Sequence, residues 1–252
     1  MSKEKNLWTP KPGGLVGKPV RRFEDARLLR GEGRYIADLC IKGMTHMAVV
    51  RSIYPHARIL DIETRDAMEL PGVLGIWTGR DTATDGLGGL PWERRPFNVP
   101  TDVPKGDPSI GQPQPVLAKG LVRYLGQPVA VVVAETLEQA LDGTEAVFVN
   151  YEPLTPLIDV REGAARGAQQ IWEQSPGNCC FNFQVGNANA ADEAITAAAT
   201  VIRLSSDNGR LVQNPLETRG YVGLWDADAE CYTLHAAAGK PQTVGRDLAQ
   251  FV

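Results

Sequence analysis

The sequence predicts a mixed α+β fold, and three adjoining stretches near its middle carry that expectation. Val129 to Ala134 is an unbroken apolar, mostly β-branched run, the pattern of a strand covered on both faces. Thr136 then stands where a helix N-cap belongs, and Gln139 three residues on completes a capping box. Leu137, Ala140 and Leu141 place apolar groups on one side of that helix. A second strand follows: in Ala146 to Tyr151, Val147, Val149 and Tyr151 alternate with Phe148 and Asn150, and Pro153 and Pro156 close the unit.

The remaining elements read in order. Met1 to Pro19 holds three prolines and three glycines with little periodicity, and reads as an arm anchored at most by Trp8. Charged residues dominate from Val20 until Tyr35, Ile36 and Leu39, which begin a strand. Met44 to Arg51 and Arg58 to Thr64 read as two strands joined through Ser52 to His56, a turn carrying Pro55. Thr64 to Leu70 is a short helix stopped by Pro71 and Gly72, and Val73 to Thr78 is another strand. Gly79 to Pro115 reads as one long loop with scattered Leu87, Leu90, Trp92, Phe97 and Val99. A loop of that length is functional or lies against a partner.

Asp159 to Asn189 lacks periodicity and reads as a connector. Asn189 or Asp192 caps the Ala-rich helix that follows, and Thr200 to Leu204 is its succeeding strand. Tyr221 to Trp225, a turn at Asp226 to Ala229, and Cys231 to Ala237 form an antiparallel hairpin. Pro241 to Val252 is a helix with Pro in its first turn and Val244, Leu248 and Phe251 on one face.

Composition narrows the function classes. The 252 residues hold one large or two modest domains. With 43% hydrophobic residues, 22% charged residues and a net charge of -4, the chain has an ordinary globular make-up and no basic surface for nucleic acid. No apolar run approaches the length of a membrane span, and no signal-peptide pattern opens the sequence, so the cytoplasm is the expected location.

Candidate chemistry is sparse. Cys40, Cys179, Cys180 and Cys231 form no metal-ligand spacing, and the vicinal pair Cys179 and Cys180 fits buried or incidental thiols better than redox work. His46, His56 and His235 share no ligand spacing and read as structural histidines. Arg94 and Arg95 offer two positive charges, without the helix N-terminus or glycine nest that a phosphate site uses. Glu217 beside Arg219 fits a structural ion pair better than an acid/base pair. No Ser/His/Asp set, P-loop or GxGxxG can be assembled, so the residues themselves give neither a catalytic nor a metal-ligating set.

Motif order is more informative than any single motif. GQPVAVVVAET, a short helix and VNYEPL followed by Pro resemble the α/β-hammerhead domain at the front of the molybdenum-cofactor subunit of the xanthine dehydrogenase, aldehyde oxidase and carbon-monoxide dehydrogenase family. RRFEDARLLRGEGRYIADL is similar to that family's opening Arg-x-Glu-Asp, Gly-x-Gly-x-Tyr and Asp pattern. MAVVRSIYPHARILDIETRDAMELPGVLGIWTGRD is similar to the hammerhead's first strands, and NPLETRGYV to an Asn-x-x-Glu-x-Arg segment at the start of the cofactor-binding region. The resemblance runs over residues 17–252.

It implies an arm at 1–20, an α/β-hammerhead domain at 21–158, a linker at 159–188, and the beginning of a mixed α+β molybdopterin-binding domain at 189–252. Where relatives carry a glutamine directed at the molybdenum centre, in a run like Ser-Gln-x-Pro-His, this chain has Ala238, Gly239, Lys240, Pro241 and Gln242. Gly239 through its backbone N–H, and Lys240 or Gln242 through side chains, are the expected cofactor-binding residues. The family's Gly-Gly-x-Phe-Gly loop and its distant glutamate base have no counterpart in these residues, so no catalytic residue is expected here. The chain resembles the front third of a longer subunit.

As the resemblance implies, the whole enzyme oxidises an aldehyde, N-heterocycle or similar small substrate with water-derived oxygen at a molybdenum–pterin cofactor. Electrons leave to an iron–sulfur small subunit and an FAD-carrying medium subunit. The remainder of the molybdenum subunit, or a second molybdenum chain, is a further expected partner. The alternative is a non-catalytic scaffold or interaction subunit that keeps the hammerhead fold.

Overall fold

A computed structural model of the chain describes residues 14–15, 17–90, 114–173, 175–179, 186–209 and 211–249. In chain order the elements begin with α1 (Asp25–Leu29), β1 (His46–Arg51), β2 (Ala57–Glu63), α2 (Arg65–Met68), β3 (Val73–Thr78), α3 (Gly79–Thr84) and β4 (Gly89–Leu90). They continue with β5 (Gln114–Pro115), β6 (Leu121–Val122), β7 (Pro128–Ala134), α4 (Leu137–Ala146), β8 (Phe148–Pro153) and α5 (Val160–Gly163). The last are α6 (Ala188–Ala197), β9 (Tyr221–Asp226), β10 (Cys231–Ala236) and α7 (Pro241–Leu248). The chain divides into two compact units, residues 41–212 with 238–252, and residues 1–40 with 213–237.

The larger unit is built on two three-stranded antiparallel sheets, in the orders β1-β7-β3 and β6-β2-β8. The apolar run of β7 takes the central position, with Val132 opposite Ala48 on one side and Ile76 on the other. Val132 and Ala134 are fully buried, while Val131 and Val133 on the opposite face are half-buried. Thr136 caps α4 as its sequence predicts: its hydroxyl accepts from Gln139 N–H (3.3 Å), and the Gln139 amide oxygen accepts from Thr136 N–H (3.0 Å).

The apolar stripe of that helix is corrected. Leu137 and Leu141 stay exposed, and Ala140 and Gly143 are the buried residues. The reason is distance: a Cβ on Gly143 would stand 2.7 Å from Val132 Cγ1, so only small residues fit between α4 and the sheet. The strand–helix–strand stretch also divides between sheets, because β8 pairs with β2 rather than rejoining β7. Ala57, Ala118, Val122 and Val129 make a shared core, flanked by Tyr54, Ile59 and Tyr151.

Other elements differ from expectation. Gly79 does not open a loop; it begins α3, because Thr78 and Asp81 form a capping box. The short strands β4 and β5 then pair, while Arg94, Arg95, Trp92, Phe97 and Val99 lie outside the described residues, as do Trp8, Cys180 and Phe251. The connector contains α5 and a 3-10 turn at Pro176–Asn178. The cap of α6 is Asn187, whose side chain accepts from Ala190 N–H (3.0 Å), rather than Asn189 or Asp192. Thr200 to Leu204 forms no strand; Ile202 and Leu204 are exposed, and no described segment pairs with their backbone groups.

In the smaller unit, the strand expected at Tyr35 is a 3-10 turn, Ile36–Asp38. The Asp38 carboxylate accepts from Tyr35 N–H (2.8 Å), and Ile36 N–H donates to the Glu217 carboxylate (3.2 Å), which removes two donors from any ladder. The expected hairpin is present as β9 and β10, with Trp225 and Tyr232 facing across it at 4.5 Å between ring centroids.

Candidate functional site

The residues expected to meet a cofactor lie at the start of α7. Pro at the first helical position presets the backbone and contributes no N–H. Lys240 is the N-cap without a side-chain cap hydrogen bond, and its carbonyl accepts from Thr243 and Val244 (3.1 and 3.2 Å). Gly239, Lys240 and Gln242 are all exposed, and a Cβ on Gly239 would meet nothing within 4 Å. With Pro241 lacking an N–H and those of Thr243 and Val244 bonded to Lys240, the turn offers the Gln242 N–H, an ammonium and an amide, a donor set suited to an anion.

That set fits the anionic part of an organic cofactor and not a metal ion. Among the described residues there is no group of three or more His, Cys, Asp or Glu that could hold one.

The remaining candidates take structural places. His56 is buried, with Nδ1 2.9 Å from the Thr155 carbonyl oxygen and 3.4 Å from Gln169 Nε2. His46 is half-buried in β1 and His235 is exposed in β10. Cys40, Cys179 and Cys231 are exposed, so the buried reading of these thiols does not hold. Glu217 accepts from the Ile36 backbone, a structural use of its charge. Arg123 lies 3.9 Å above the Trp172 ring and donates from Nε to the Ile171 carbonyl (3.0 Å), and burial lowers its pKa. Tyr151, whose ring meets Tyr54 edge-on at 5.4 Å, has its pKa raised by burial.

Sequence reasoning missed one feature of the larger unit, a cleft of about 420 Å³ lined by Asp61, Ile62, Thr64, Arg80, Asp81 and Lys119 among others. Its residues come from β2, the start of α3 and the approach to β6, so no single stretch signals it. The Thr78–Asp81 pair was the one local clue. Asp81 Oδ2 accepts from Thr78 N–H (2.6 Å) and Oγ1–H (2.7 Å), and these bonds lower its pKa. No helix among the described residues is long and apolar enough to cross a membrane.

Comparisons with known proteins place this architecture. The family model described as aldehyde oxidase and xanthine dehydrogenase, a/b hammerhead domain, matches residues 30–155. The nicotine 6-hydroxylase large subunit of Paenarthrobacter nicotinovorans is 32% identical over 238 residues, covering 94% of this chain and 28% of that subunit. The crystal structure of quinoline 2-oxidoreductase from Pseudomonas putida 86 is similar with a TM-score of 0.73 and 32% identity, over 92% of this chain and 28% of that one. The reconstituted CO dehydrogenase from Oligotropha carboxidovorans superposes with a TM-score of 0.78 at 28% identity, over 93% and 29%. The chain thus spans under a third of the length of these relatives. Two antiparallel sheets with a capped helix against one of them, matched in sequence and in fold across almost the whole chain, are those of the aldehyde oxidase and xanthine dehydrogenase family, to which this protein belongs.

Proposed function

We propose that this chain supplies the hammerhead domain and the opening of the cofactor-binding region of a molybdenum hydroxylase or dehydrogenase. The observation that carries the reading is the 32% identity to a nicotine 6-hydroxylase large subunit across 94% of the chain. Its substrate would be an aldehyde, N-heterocycle or similar small molecule. When bound, a molybdenum–pterin cofactor supplies oxidation with water-derived oxygen. This chain's part is positional: the Gly239 backbone and the Lys240 and Gln242 side chains hold the anionic edge of that group.

An iron–sulfur small subunit, a flavin medium subunit and the remainder of the molybdenum subunit are the partners this role calls for, in the cytoplasm. The exposed apolar side chains of Ile202, Leu204, Leu211, Val212 and Leu216 support covering by such a partner.

The test is gentle purification from the native source, with molybdenum and co-purifying polypeptides measured together. Molybdenum arriving with a further molybdenum-subunit segment and an iron–sulfur subunit supports the hydroxylase. The chain recovered with partners and no molybdenum would make it the non-catalytic scaffold, a reading that the side-chain-free Gly239 favours.

A further inference from the structure

We propose that the open edge of β2 at Leu60–Glu63 docks a short extended polypeptide segment, bearing an acidic side chain, from a protein partner. One side of β2 is paired with β8 along its length, from Ala57 opposite Pro153 to Glu63 opposite Phe148. On the other side β6 pairs only with Ala57 and Arg58. Ile59 N–H donates to the Gly120 carbonyl (2.9 Å), and before that residue the chain leaves the sheet: Ala118 N–H donates to the Pro128 carbonyl at the start of β7 (2.8 Å). Past Ile59, no described strand pairs with this edge.

Leu60–Glu63 span roughly 13 Å at ordinary strand rise, and those of their backbone N–H and C=O groups that point away from β8 are left for another chain. Beside them is the cleft of about 420 Å³, bounded by Asp61 and Ile62 on β2, Ala118–Gly120, and Thr78–Asp81. An added strand binds through such main-chain groups, and its side chains set specificity. The register irregularity between Ile59 and Asp61 coils β2 and shortens its flat edge, which suits a short segment rather than a second sheet.

Charge selects the segment. Arg80 and Lys119 are exposed cations at the cleft, whereas the Asp81 carboxylate is turned to the Thr78 N–H and hydroxyl in the α3 cap. An acidic side chain on the incoming segment meets Arg80 and Lys119. Asp61 disfavours a second acid directly opposite itself, which fixes the register. The similar large subunit of nicotine 6-hydroxylase is by its name one part of an assembly, so a protein partner is the appropriate source.

The test uses the full chain and a displayed library of eight-residue peptides, and is independent of molybdenum or activity. Peptides carrying Asp or Glu should be enriched, and a synthesised winner should slow exchange at those amides of Leu60–Glu63 that point away from β8. Its affinity should fall at least tenfold in Arg80→Glu/Lys119→Glu, while exchange in β1, β7 and β3 stays as in the wild type. Three results overturn the proposal: no enrichment, winners that protect another segment or ignore the charge reversal, or an edge already protected in the chain alone through its own residues or self-association.

Discussion

Gly79 sits directly against the Ala118 carbonyl: a Cβ on Gly79 would fall 2.3 Å from that oxygen and 2.8 Å from its carbon. Both residues are buried. The contact joins the end of β3 and the start of α3 to the segment that enters β6, so it ties the two sheets together beside the β2 cleft.

Gly79→Ala is expected to destabilise the larger unit by about 1–3 kcal/mol, the range of overpacking a close-fitted site. The obstacle is backbone, which gives less readily than the tip of a side chain. Urea unfolding checks it: the midpoint should fall with the slope unchanged. An unaltered midpoint would show that the Ala118 segment shifts at no cost.

Asn178 fastens the connector. Its side-chain oxygen accepts from Ile171 N–H (2.9 Å), and its amide donates to the Gly163 and Gln169 carbonyls (3.1 and 2.9 Å). Its backbone has φ +55°, a conformation that Asn tolerates better than most residues. Asn178→Ala loses the three bonds and takes up the strain, for about 1–3 kcal/mol. Asn178→Gly keeps the backbone freedom and loses only the bonds. Limited proteolysis within residues 159–179 should accelerate in both variants, more in the alanine than in the glycine.

Local chemistry was legible in the sequence and distant chemistry was not. Thr136 and Gln139 are three residues apart and define their cap wherever α4 packs. Thr78 and Asp81 carry the same signal, which the surrounding glycines and prolines obscured. By contrast, the 3-10 turn at Ile36 depends on Glu217, 181 residues away, and an apolar run beside Tyr35 cannot announce that partner. Thr200 to Leu204 has strand composition without a described neighbour to complete its hydrogen bonds. The expected cofactor turn was placed through family resemblance; its residues make no constellation that spacing alone would identify.

Asp81 makes α3 sensitive to acid. Donation by the Thr78 hydroxyl, and then by its backbone N–H, holds the carboxyl below its ordinary value, so the folded form prefers it ionised. A depressed carboxylate contributes its stability above the unfolded value of about 3.9 and loses it as pH falls through the folded value. The cap should therefore persist at neutral pH and release only below that range. Carboxyl NMR titration checks this: the Asp81 midpoint should lie below the ordinary aspartate value and rise towards it in Thr78→Val. A wild-type midpoint at the ordinary value would contradict the capping role.

The turn before α7 gives the last prediction. Lys240 and Gln242 are exposed, so replacing either by alanine should leave unfolding essentially unchanged. If the turn holds the cofactor as proposed, in an assembled complex that carries molybdenum each substitution removes a donor to its anionic edge, and a hydrogen bond to a charged group contributes about 1.5–3 kcal/mol. Retention of the molybdenum–pterin group should then weaken about tenfold or more, since ~1.4 kcal/mol is a factor of ten. Molybdenum content after gel filtration of matched samples reads this without an activity assay. Gly239→Gln supplies the control in the opposite direction: its Cβ meets nothing within 4 Å, so the variant should fold normally and add a donor where relatives are expected to have one. Full molybdenum retention in Lys240→Ala and Gln242→Ala would remove this turn from the cofactor site.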